Sequence, residues 1–274
     1  RVLKQTLFVI ALLAFFSFVM FPIIWIFLMS INTPKDIIAY PPRFTFKPTL
    51  QNYLTVIFGS TEVFVLAGES DFPLYLRNSV ITSGLAVLVS LIVGSPAAYA
   101  LARMRFKYRE NIAFTFLSFR FAPELVVILP LYIIFYNLNL YNTFFGLVFI
   151  HQMITLPMVI WMMRSFFQEI PQELEEAAFI DGCSWGKCFL RICLPIVKPG
   201  IASTVILSFI SSWNNLLYGL ILAGSETRPV TVGILNSITY TEVLWGEMAA
   251  SAMISILPGL LAAFFVQKFI VSGL

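Results

Sequence analysis

Charge is what this sequence has least of. Its 274 residues include 17 Lys or Arg and 14 Asp or Glu, 11% together, against roughly a quarter in soluble domains, while 59% are hydrophobic. So few charges cannot clothe a water-exposed surface, and a mean hydropathy of +0.89 indicates an integral membrane protein. Histidine is almost absent: His151 stands alone. With one histidine, no convergent acid pair and no metal-ligand cluster, a membrane-embedded enzyme has no catalytic set to use. A net charge of +3 without a basic patch excludes nucleic-acid binding. The three cysteines, Cys183, Cys188 and Cys193, recur every five residues, which on an α-helix turns successive sulfurs by about 140° and puts them on different faces. That spacing is looser than usual metal pairs, and cytosolic thiols stay reduced, so they read as small packing residues and no metal is expected.

What the chain does have is long apolar runs. A helix of about 20 apolar residues crosses the hydrocarbon core with its backbone hydrogen bonds made internally. Six such spans are predicted, at about 5–31, 75–102, 111–138, 143–167, 198–222 and 247–270. The first is too long for the apolar core of a signal peptide, and no small-residue cleavage pattern follows it. Arg1 and Lys4 precede it, Arg103, Arg105, Lys107 and Arg109 crowd the turn after the second span, and Lys187, Arg191 and Lys198 lie in or beside the loop after the fourth. The positive-inside rule puts these three regions, and both termini, on the cytoplasmic side. The opposite side then carries a Pro-rich first loop at 32–74 (Pro34, Pro41, Pro42, Pro48), a tight turn near Asn137 to Asn142, and a loop at 223–246.

The cytoplasmic loop at 168–197 is the most polar stretch, holding five of the 14 acidic residues between Glu169 and Asp181. Pro171 suits a first helical position, Glu169, Glu173, Glu175 and Glu176 crowd the positive end of a short helix, and Gly182 supplies a left-handed stop. Ser184 can cap a second short helix, which Pro195 ends. Within it, G-C-S-W-G-K-C (Gly182 to Cys188) comes near a phosphate-binding loop. The spacing is one residue short, Cys188 replaces the hydroxyl that reaches magnesium, and no β-strand or metal-binding acid accompanies it. ATP and magnesium are therefore not expected on this chain.

Glu176-Ala177-Ala178, Asp181-Gly182, Ile192, Leu194-Pro195 and Pro199 match in order and spacing the EAA loop of permease subunits in binding-protein-dependent ABC importers. The resemblance covers nearly the whole chain, through "NYL" (52–54), "RNSV" (77–80), "AAYALARMRFKYR" (97–109), "APELVVILPLY" (122–132) and "SSWNNLLYGLIL" (211–222), and points to the sugar branch, in particular the second permease of maltose-type systems. It implies an all-α, six-span type I importer permease in a bacterial-type inner membrane. It also implies the partners: a homologous second permease, two ATPase subunits that carry ATP and magnesium, an extracytoplasmic sugar-binding protein, and membrane lipid. Glu176, Ala177, Ala178, Asp181 and Gly182 would form the coupling helix that docks on an ATPase, Cys183 standing where the family more often has alanine. By the same resemblance, the segment from Gly224 to Glu247 reaches toward the binding protein.

Polar residues inside the spans are costly and mark candidate pathway or gate positions: Arg120, Glu124, His151, Gln152, Ser211, Asn214 and Asn215. Arg120 and Glu124, four apart, are expected to pair on one helix face between kinks at Pro123 and Pro130. Asn214 and Asn215 serve equally as gate or as interhelical glue, and His151 as a structural hydrogen-bonder or a ligand contact. An ion-coupled secondary transporter is the alternative, with Glu124 as its coupling acid, but it leaves the EAA loop unexplained. The transported sugar is open between a neutral one and an acidic oligosaccharide such as an alginate fragment, with Arg77, Arg120 and His151 leaving room for the latter.

Overall fold

The computed structural model describes residues 2–41, 43, 45–59 and 70–271, so Arg1, Pro42 and the 60–69 part of the expected first loop lie outside them. The described residues are mostly helical, with one isolated antiparallel bridge, Ile238 to Val243. In order come α1 (Val2–Ser30), α2 (Pro34–Ile37), α3 (Gln51–Phe58), α4 (Phe72–Arg103), α5 (Arg109–Ser118), a 3₁₀ turn (Phe119–Phe121), α6 (Glu124–Asn137), α7 (Phe144–Glu169), α8 (Gln172–Ile180), α9 (Trp185–Cys188), a π-helical turn (Phe189–Cys193), α10 (Leu194–Ile196), α11 (Lys198–Trp213), α12 (Leu217–Leu222), α13 (Val230–Leu235) and α14 (Trp245–Val271). Four of these, α1, α4, α7 and α14, are long and apolar enough to cross a membrane, and the number rises to six if each of two sharply bent pairs makes one span.

The bends are where the structure departs from straight spans. The third expected span breaks at Pro123, where α5 with its 3₁₀ turn meets α6 at 93°. Alanine at 122 precedes that proline, which drives its backbone to an extended ψ of 129°. The short segment ending at Ile196 meets α11 at 79°, and the fifth span stops at Trp213, resuming only at Leu217.

The chain divides into two compact units, residues 1–74 with 233–257, and residues 75–232 with 258–274. In the first, the side-chain amide of Asn52 donates to the carbonyls of Ser30 and Asn32, both at 2.9 Å, tying α3 to the end of α1. The hydroxyls of Ser30 and Tyr53 meet at 2.7 Å, and Thr33 caps α2. Along the apolar run of α1, Phe8, Phe15 and Phe18 are exposed among the described residues, a surface suited to lipid or another protein.

The second unit is built on α4, α7 and α11. Small residues let these helices close: a Cβ on Gly200 would stand 2.4 Å from the Phe166 ring. One core joins Ala98, Tyr99, Val159, Met163, Phe167, Ala178, Cys188 and Cys193 around the α8 end. Another, near the opposite end of α7, joins Ile128, Phe135, Leu147, Ile150, Tyr218 and Leu222. Buried polar residues link the helices: Ser90 donates to Gln152 Oε1 at 2.6 Å and meets the Thr155 hydroxyl at the same distance.

Candidate functional site: the α8 loop and a cleft at two helix breaks

The segment α8–α9 forms as its sequence predicts, with one shift at its start. Pro171 is the residue before the helix, with ψ at 133°, and α8 begins at Gln172. At the far end Gly182 has φ +83° with open space around it, and its amide donates to Phe179 O; this is the left-handed stop that glycine adopts without cost. Ser184 precedes α9 in extended conformation, although its side chain makes no cap hydrogen bond.

Helix phase decides which residues of this loop are free. Glu175 and Ala178, three apart, face inward and are buried, whereas Glu176, Ala177, Ile180, Asp181 and Gly182 are exposed. Of the five expected docking residues, Ala178 is therefore committed to the chain's own core, against Tyr99 and the two buried cysteines.

Glu175, expected only as one of the acids at the start of the short helix and not among the docking residues, is the best-held residue of the loop. Its carboxylate pairs with Arg103 Nε at 2.5 Å, the two side chains being 5% and 6% exposed, and accepts from the Tyr99 hydroxyl at 2.9 Å. Arg103 also donates to the Ile170 carbonyl. The last turn of α4 is thus fastened to α8 and to the residue that leads into it. Arg164 of α7 adds a second fastening, donating to both carboxylate oxygens of Glu110 at 2.6 Å and to Leu101 O at 3.3 Å. No local signal in the sequence separates Glu175 from Glu176, because helix phase against the distant Tyr99 and Arg103 decides which one turns inward.

The cysteines correct the sequence reading. Cys188 and Cys193 do share a face, with sulfurs 4.0 Å apart, because the turn between them is π-helical and brings residues five apart into register. With a Glu175 oxygen they lie within 4.8 Å of one another, a set with the donor chemistry of a metal site. The carboxylate, however, is engaged by Arg103 and Tyr99. Burial first, and then the neighbouring Glu175 charge, push the Cys193 thiol up to about 12. Cys193 is therefore a protonated packing group at neutral pH, and Cys188 is packed in the same buried core.

The second locus lies at the helix breaks. Asn215, in the gap between α11 and α12, donates to Glu124 Oε2 at 3.2 Å, accepts from the Tyr218 amide at 3.0 Å through its side chain, and accepts from Thr231 Oγ1 at 3.2 Å through its carbonyl. A cleft of about 110 Å³ opens beside it, walled by Arg120, Glu124, Met153 and Tyr218 among others. Broken helices that expose backbone polar groups around a cavity are a recurring way to build a transport site. Arg120 and Glu124 share this cleft but are not an ion pair among the described residues, contrary to the helix-face expectation. The 3₁₀ turn and Pro123 stand between them, so the four-residue spacing does not act as one helical turn.

The other expected pathway residues are held elsewhere. His151 is buried, its Nδ1 2.7 Å from Leu147 O, with a second backbone hydrogen bond to Ser212 and its ring edge-on to Tyr218 at 5.5 Å. Gln152 donates to Ala86 O and Val148 O, clasping α7 to α4. Ser211 bonds back to Leu207 O, and Asn214 is exposed, its amide closing the last turn of α11. A larger hollow, about 470 Å³ and walled by Trp25, Phe46 and Trp245 in the first unit, contains none of the predicted residues.

Comparison with known proteins places this architecture. Residues 90–274 match the family described as the binding-protein-dependent transport system inner membrane component. The chain is 33% identical to the trehalose/maltose transport system permease protein MalG of Thermococcus litoralis, over 100% of this chain and 96% of that protein. It is also 33% identical to the diacetylchitobiose uptake system permease protein DasC of Streptomyces coelicolor, over 93% of this chain and 89% of the other. A solved bacterial ABC transporter involved in import of the acidic polysaccharide alginate contains a chain that superposes with a TM-score of 0.75 at 22% identity, covering 97% of this chain and 96% of that one; this likeness speaks for the fold. The sequence match, the type I permease fold and the glycine-stopped α8 loop agree: the chain belongs to the inner-membrane permease components of binding-protein-dependent ABC transport systems, as a membrane subunit that does not itself catalyse.

Proposed function

We propose that this chain is one half of the membrane channel of an ABC importer for a sugar or oligosaccharide, opening alternately to the two sides as separate subunits hydrolyse ATP. The observation that carries the proposal is the α8 loop: a short helix with an exposed acidic and apolar face (Glu173, Glu176, Ile180) and an inner face bolted to α4. A surface loop that served only to connect α7 to α11 would need no buried ion pair beneath it. On this reading Glu176, Ala177, Asp181 and Gly182 meet the ATPase, and Ala178 packs behind them.

The cationic turn 103–109 and both termini face the cytoplasm of a bacterial-type inner membrane, and the segment 223–246 faces the binding protein. ATP and magnesium belong to two ATPase subunits, and a homologous permease completes the channel against the apolar surface of this one. The cleft at Glu124 and Asn215 lies on the sugar's path. The sugar class is supported by the similar permeases for trehalose and maltose and for diacetylchitobiose, and Arg120 in the cleft leaves room for an acidic oligosaccharide. Reconstitution in liposomes tests the proposal. Uptake is expected to require ATP, the ATPase subunits and the binding protein together, and purified chain moving sugar down an ion gradient by itself would refute it. Competition between neutral and uronate oligosaccharides for uptake would then assign the substrate class.

A further inference from the structure

We propose that α4 is a connecting rod that carries displacement of α8 to the segment 226–230 at the helix's opposite end, with Tyr99 and Arg103 as positioning residues at one end and Asn78 and Ser79 at the other. The inference rests on the function proposed above, which gives the displacement its source.

The fastenings at the α8 end are the Arg103–Glu175 ion pair, the Tyr99 hydrogen bond to the same carboxylate and the Arg103 bond to Ile170 O. The paired side chains are only 6% and 5% exposed, and the Phe167, Trp185 and Phe189 rings pack around Tyr99 at 5.4, 6.4 and 5.2 Å between centroids. At the other end Asn78, wholly buried, donates from Nδ2 to the carbonyls of Glu226 at 2.9 Å and Arg228 at 3.1 Å. Ser79 Oγ accepts from the Val230 amide at 2.8 Å, and the Arg228 guanidinium lies over the Tyr75 ring.

Between the two sets of fastenings α4 is one continuous helix. Asn78 and Arg103 are separated by about 37 Å along its axis at the usual rise per residue. Pro96 is the one break in its hydrogen-bond ladder, and it lies within a turn of Tyr99, leaving the stretch from Asn78 to Ser95 whole. A hydrogen-bonded helix scarcely shortens, so what moves one end moves the other. This meets the physical requirement for coupling two distant sites: one element that both sites grip.

The test uses the full transporter, with partner permease, ATPases and binding protein, in proteoliposomes, measuring uptake and ATP hydrolysis on the same sample. Tyr99→Phe removes one hydroxyl and keeps the ring, Glu175→Gln keeps the shape without the charge, and Asn78→Leu releases the far end. Each is expected to keep hydrolysis while uptake per ATP falls about tenfold, a tenfold change being about 1.4 kcal/mol of coupling. The Tyr99→Phe/Asn78→Leu double variant is expected to fall no further than the worse single variant, since both cut one linkage. Distant independent sites add in free energy, so singles whose effects multiply in the double variant would overturn the rod. So would an unchanged uptake-to-hydrolysis ratio, which is what a merely structural role gives when both activities drop with the amount of assembled complex. A wild-type chain that shows no ATP-dependent uptake would instead refute the function proposed above.

Discussion

Gly182 and Gly186 lie four residues apart in the same loop, and the structure assigns them opposite responses to alanine. Gly182 sits at φ +83°, where an L-residue rarely goes, and nothing within 4 Å would meet its added Cβ. The whole effect of Gly182→Ala is therefore backbone strain, about 1–2 kcal/mol for a left-handed residue with a Cβ. That is roughly a 5- to 30-fold shift in any equilibrium between the bent loop and a straightened one. Gly186 is also in open space, but it lies inside α9 at an ordinary helical φ. Alanine there is expected to be neutral or to stabilise by up to about 1 kcal/mol, the propensity difference between the two residues in a helix. At position 182 the expected order of coupled, ATP-dependent uptake is Gly, then Asn, which tolerates the left-handed region, then Ala, then Val. Uptake and ATP hydrolysis in proteoliposomes, with thermal unfolding of the purified chain alongside, check this order. Full coupling in Gly182→Val, or a Gly186→Ala defect equal to that of Gly182→Ala, would refute the strain argument.

Two further outcomes follow from the geometry. Asn142, itself left-handed at φ 56°, accepts with one side-chain oxygen from Gly224 N, Thr227 N and Thr227 Oγ1. Asn142→Ala strands those donors and adds backbone strain, so unfolding should come at lower temperature by the equivalent of about 1–3 kcal/mol, with Asn142→Asp retaining most of the stability. For the thiols, a value raised to about 12 means that Cys193 stays protonated as pH rises from 7 to 9. Mass spectrometry after maleimide treatment of the folded chain should show adduct at half-buried Cys183 and none at Cys188 or Cys193 until the chain unfolds.

Much of the α8 loop was legible in the residues themselves. Pro171, the acidic first turn and Gly182 each act locally, through φ restriction, the helix dipole and the left-handed region, so sequence alone located the helix and its end. Which of Glu175 and Glu176 would face inward was not legible, because that depends on the helix phase relative to Tyr99 and Arg103, more than 70 residues earlier. The same limit hid the role of Asn78 in "RNSV", whose partners lie about 150 residues later. Helix breaks were half visible: Pro123 announces one, whereas Asn214 and Asn215 look alike on paper and only the second reaches Glu124. The cysteine pair failed for a different reason. An α-helical period was assumed, and a π-turn changes the register by about one residue per turn.

The measurement that bears most directly on the account is cross-linking at the exposed face of α8. In a Cys183→Ser background, a bismaleimide should join Glu176→Cys to an ATPase subunit in the assembled transporter, with a yield that changes when ATP is added. Lys107→Cys, equally exposed but in the α4–α5 turn, should give far less of that adduct. No adduct from position 176, together with a strong one from position 107, would contradict the claim that α8 is where ATP-driven movement enters this chain.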